Sequence, residues 1–132
     1  MKLSTIGFLT LLFWALGSGG CARSSSTPPL HDEVLVFSLP MDLVYLRTME
    51  AIELDPDWGM DHTIKEKGLI YLRNLRYSSF ADSDRRRATL VLKRTGPRRT
   101  SIQLAKESQS IVGGGELLAL IKRQLSSEVS RK

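Results

Sequence analysis

Apolar residues follow a different rhythm in each successive stretch of the chain. From Leu3 to Leu16 they are almost unbroken, and Gly17, Ser18, Gly19, Gly20 and Cys21 follow. A shorter apolar run, Val34 to Leu39, reads as a buried strand. From Met41 to Leu54 the spacing is helical: Met41, Val44, Tyr45, Thr48 and Ile52 share one face, with Asp42, Arg47, Glu50 and Glu53 opposite. Leu43 and Leu46 fall on the polar side, outside that pattern. Pro40 sits where the helix starts, a place that tolerates its missing amide. Asp55-Pro56-Asp57 ends it.

Trp58 opens a strand-rich stretch. Lys65-Glu66-Lys67-Gly68 reads as a hairpin turn in which Gly68 supplies a positive φ. Leu69 to Tyr77 is the return strand, and Ser78 to Asp84 a polar loop. Arg86 to Arg94 alternates, with Ala88, Leu90 and Leu92 on one face and Arg87, Thr89, Val91 and Lys93 on the other. Thr95-Gly96-Pro97 is turn chemistry, and Thr100 to Leu104 the partner strand. Lys106 to Gly115 reads as a loop ending in three glycines. Glu116 to about Val129 is a second amphipathic helix, with Leu117, Leu118, Ile121 and Leu125 on one face. The order strand, helix, four strands, helix predicts an α+β fold: a two-layer domain with an antiparallel sheet and both helices on one face.

The N-terminus reads differently from the rest. Lys2 is the only charge before Arg23. One basic residue, a short apolar core and small residues before a cut site are the parts of a secretory signal. A membrane-spanning helix needs roughly 20 apolar residues, and this run is shorter. The alternatives are an uncleaved anchor helix and a buried core helix. The division expected is a signal peptide over 1–20, a lipidated cysteine and polar tether over 21–31, and a single domain over 32–132.

The chain contains one cysteine, so no disulfide forms within it. Ser18-Gly19-Gly20-Cys21 resembles the processing motif of bacterial lipoproteins, with Ser18 where that family usually has leucine. The resemblance implies that Cys21 carries diacylglyceryl and acyl chains. Two or more such chains give stable anchoring where one gives only marginal binding. Ala22 after the cysteine implies, by the family's sorting rule, the periplasmic face of the outer membrane. A free cysteine after an ordinary cleavage site is the alternative.

A search for catalysis leaves little. His31 and His62 are the only histidines, and no paired His/Cys spacing supplies a metal site. The acidic pairs Asp55/Asp57 and Asp82/Asp84 fall in turns, where aspartate bonds nearby backbone. Gly113-Gly114-Gly115 before a helix can bind an anion, but no Lys-Ser/Thr pair follows, and a flexible helix entry is the ordinary reading. No cofactor, metal or small-molecule substrate is expected.

Charge adds one surface feature. The formal net charge is +5 and the pI about 9.7. Arg85, Arg86 and Arg87 open one strand; Lys93 and Arg94 close it, and Arg98 and Arg99 open the next. A hairpin gathers Lys93, Arg94, Arg98 and Arg99 at its tip. That patch suits lipid phosphates, lipopolysaccharide or an acidic protein edge; the ordinary reading is a solvated strand edge. Nucleic acid is not expected, since aromatics do not interleave with the basic residues. Leu43 and Leu46 are a candidate protein contact if exposed.

Over residues 34–128 the domain resembles the helix-grip modules of outer-membrane accessory lipoproteins, such as those of the lipoprotein C subunit of the barrel-assembly machinery. The resemblance rests on element order and on Asp57-Trp58-Gly59, Lys67-Gly68-Leu69-Ile70 and Gly115-Glu116-Leu117-Leu118. These are core and turn residues, so it implies fold more than function. The expected function is non-enzymatic: a membrane-anchored lipoprotein that binds a protein or envelope polymer. A small envelope hydrolase and a ligand-binding lipoprotein are the alternatives.

Overall fold

The computed structural model of the chain describes residues 29–77 and 86–129. Cys21, the stretch expected to be a signal peptide, the residues leading into Pro29, Arg85 and the Asp82/Asp84 pair lie outside these residues. The order is β1 (Leu35–Phe37), α1 (Met41–Glu53), β2 (Trp58–Ile64), β3 (Leu69–Asn74), β4 (Arg87–Gly96), β5 (Arg99–Leu104) and α2 (Gly114–Val129). This is the α+β order expected from the pattern. The five strands form one antiparallel sheet in the order β1-β5-β4-β3-β2. Four strands run as a meander, and β1 closes the far edge beside β5.

Both helices pack on one face, and the sequence periods explain which one. Ala88, Leu90 and Leu92 of β4 are buried, as are Thr100, Ile102 and Leu104 of β5 and Ile70, Leu72 and Asn74 of β3. Val44, Tyr45, Thr48, Ala51 and Ile52 of α1 and Leu117, Leu118, Ile121 and Leu125 of α2 meet them. Thr48 lies mid-helix in this core, and its hydroxyl donates to the Val44 carbonyl at 2.7 Å, so that hydroxyl is satisfied within the helix. The Thr100 hydroxyl donates to the Leu39 carbonyl at 2.9 Å and ties β5 to the turn before α1.

Local chemistry sets the element ends. Pro40 is the residue before α1 rather than its first residue; its carbonyl accepts from the Leu43 and Val44 amides at 3.1 Å each. Gly68 follows a single 3-10 turn (Lys65–Lys67) with φ 64°, and its carbonyl accepts from Leu92 N at 2.7 Å. A Cβ there would run into the Leu92 carbonyl, so glycine is required on two counts. Gly96 pairs with Arg99, leaving Pro97 and Arg98 as the hairpin turn, and the register shifts between Arg94 and Gly96.

Two expectations are corrected. The run Val34 to Leu39 is not a fully buried strand. Leu35 and Phe37 face the core, but Val34 and Val36 are 49% and 56% exposed, because β1 is an edge strand with helices on one side only. The three glycines are not a loose helix entry either. Gly114 already belongs to α2, and all three are packed closely. A Cβ on Gly113 (φ 82°) would meet Asn74 Nδ2 at 2.8 Å, and one on Gly114 would meet the His31 ring at 2.8 Å and Leu104 at 3.1 Å. A Cβ on Gly115 would meet the same ring at 3.1 Å.

Candidate functional site

The β4–β5 hairpin tip gathers Lys93, Arg94, Arg98 and Arg99. Lys93 pairs with Ser101 and Arg94 with Thr100, while Arg99 lies opposite Gly96. All four side chains are exposed. None of them meets a carboxylate among the described residues. The register shift beside Thr95 and the fixed φ of Pro97 turn the chain from β4 into β5 at this end of the sheet. Four unpaired cations in a small area raise the local potential and favour an anionic surface.

The sheet's other face continues this charge. Arg87, Thr89, Val91 and Lys93 point away from the helices, beside Leu69, Tyr71 and Arg73 of β3. Arg73 and Arg87 lie directly opposite each other. Asp61, in the bulge of β2, accepts from Arg73 Nε at 3.2 Å and also from Nη2, so one of the two like charges is neutralised. His62 stacks on Tyr71 with centroids 4.0 Å apart and rings 11° from parallel.

The two histidines are therefore separated. His62 lies on the open sheet face, while the His31 ring covers the first turn of α2 and its amide donates to the Gln109 carbonyl at 2.7 Å. Among the described residues no group of three or more His, Cys, Asp or Glu converges. Asp55 and Asp57 make a turn, with the Asp57 amide donating to Asp55 Oδ1 at 2.9 Å, and Asp57 faces Arg76 at 3.6 Å.

Leu43 and Leu46 stand outward on α1, 37% and 51% exposed. The buried stripe of α1 is the one expected, so no rotation of the helix hides either leucine. Beside them Arg47 and Glu50 pair at 2.7 Å.

Sequence reasoning missed two features. One is an open cleft of about 350 Å³ at the end of β2, lined by Trp58, Asn74, Arg76, Tyr77 and Glu116 among others. Asn74 builds its wall: Nδ2 donates to the Val112 carbonyl at 3.0 Å, and Oδ1 accepts from the Arg76 and Tyr77 amides at 3.0 and 3.1 Å. The other is a groove of about 470 Å³ between the free edge of β1 and α2, lined by Val34, Val36, Phe37, Lys122 and Ser126 among others. The space between helices and sheet is filled: Ile52, Ile70, Leu90 and Ile121 are fully buried there.

No protein-family model matches the chain, and neither does any of the curated proteins compared with it.

Proposed function

We propose that this chain is a membrane-anchored lipoprotein of the cell envelope. It is non-enzymatic and binds a protein or envelope polymer at the periplasmic face of the outer membrane. The observation that carries the reading is the lone cysteine, Cys21, placed directly after a short apolar stretch and two glycines. The basic hairpin tip, exposed and without acidic partners among the described residues, supports the binding half of it.

Metabolic labelling with a fatty acid, followed by membrane fractionation, tests the anchor. Wild type is expected to carry label and sediment with the outer membrane, and Cys21→Ser to lose both. Label retained by Cys21→Ser would sink the anchor. A pull-down from solubilised membranes tests the binding half, and recovery of no partner above the Cys21→Ser control would count against it.

A further inference from the structure

The two edges of the sheet are treated differently by the sequence. The β2 edge is blunted: its register shifts between Met60 and His62, and Asp61, His62 and Lys65 lie along it or at its end. Bulges and charges are the usual means of preventing edge-to-edge pairing. The β1 strand itself has neither: Leu35, Val36 and Phe37 carry no charge, and the nearest acids, Asp32 and Glu33, precede the strand. Its register with β5 is unbroken from Leu35 to Phe37, and Val34 and Val36 are half exposed beside it.

We propose that β1 is a self-association edge, pairing antiparallel with β1 of a second copy of this chain beside α2. The reason to choose a second copy is self-complementarity. In an antiparallel register centred on Leu35, Val34 of each copy faces Val36 of the other on the open side of the sheet. Asp32 of each then faces Ser38 of the other. The pairing of Phe37 with Thr100 brings Ser38 level with Arg99 of the neighbouring strand, so the acid of one copy approaches the base of its mate. On the helix side the same register sets Glu33, which pairs with Lys122 at 3.5 Å within each copy, opposite Phe37 of the mate. Each patch thus contacts the same patch, as a closed two-fold dimer requires. Such pairing gives a continuous ten-stranded sheet, and the valines leave water. Three residues of strand flanked by one helix make a small interface, and so a weak, concentration-dependent dimer.

Sedimentation equilibrium of the full chain in mild detergent, over a series from low to hundreds of micromolar, reads the association. Wild type is expected to pass from monomer to dimer. Val36→Lys, at an exposed position, is expected to weaken association at least about tenfold with circular dichroism and Tm unchanged. A second arm uses the full chain with Cys21→Ser, Val34→Cys and Val36→Cys, where mild oxidation should link two copies. Cys21→Ser with Leu46→Cys should stay monomeric. A wild type that is monomeric throughout, association that survives Val36→Lys, or equal cross-linking through Leu46→Cys would each overturn the proposal. The cross-linking arm carries no lipid, so its outcome is independent of the anchor at Cys21.

Discussion

At the scale of single residues, glycine positions decide the most. Gly68 combines a left-handed backbone with a carbonyl where a Cβ would sit. Gly68→Ala is expected to lower stability by about 2 kcal/mol or more, since backbone strain and displacement of Leu92 both count. Thermal or denaturant unfolding checks it. Gly114 makes a sharper case, because intrinsic helix preference favours alanine over glycine by about 1 kcal/mol. Here the sign should reverse: the new methyl meets His31, Leu104 and Ile111 within 2.8 to 3.2 Å. In a His31→Ala background the nearest of these neighbours is gone, so the cost of Gly114→Ala should shrink. A double-mutant cycle reads that coupling, and strict additivity would show that the ring does not constrain the helix start.

At the scale of elements, exposure separates residues that look alike in sequence. Ile52 and Leu46 are both aliphatic and lie on the same helix. Ile52→Ala removes a fully buried side chain and is expected to cost about 2–5 kcal/mol, while Leu46→Ala, half exposed, should stay within about 0.5 kcal/mol. Denaturant titration of both variants checks the contrast, and a large loss at Leu46 would mean that α1 is covered. Elements with two unlike faces were legible from the pattern, as β4 illustrates: Ala88, Leu90 and Leu92 alternate with Arg87, Thr89 and Val91 because helices cover one side only. The same cause misled at β1. Its alternate residues are all apolar, and whether the outer ones are covered depends on a neighbour that the local pattern does not encode. The glycines at the start of α2 were misread for a related reason: their packing partners, Asn74 for Gly113 and His31 for Gly114 and Gly115, lie far away in sequence. Asn74 gave no signal at all, since its value is a bond to Val112 across the fold. The hairpin tip is built from residues close in sequence, so the grouping of its cations is legible from the local pattern.

At the scale of the whole molecule, charge is sorted rather than spread. On and around the helices three cations are matched: Arg47 with Glu50, Lys65 with Asp42, Lys122 with Glu33. On the open sheet face and its tip, Arg87, Lys93, Arg94, Arg98 and Arg99 have no such partners among the described residues, and Asp61 is taken by Arg73. Four of the cations without such partners thus stand together at the hairpin tip. Exposed surface pairs contribute little to stability, so the tip can be altered with small effect on folding. The variant Arg94→Glu/Arg98→Glu/Arg99→Glu should therefore keep its Tm within a few degrees yet leave a polyanion column at markedly lower salt than wild type. Such attraction is screened over roughly 10 Å at 0.1 M salt, so the difference should narrow as salt rises. Cys21→Ser should leave retention unchanged, because the charge belongs to the folded domain and not to the anchor. Equal retention of wild type and the triple variant would place the anion preference elsewhere on the surface, with Arg73 and Arg87 the next pair to alter.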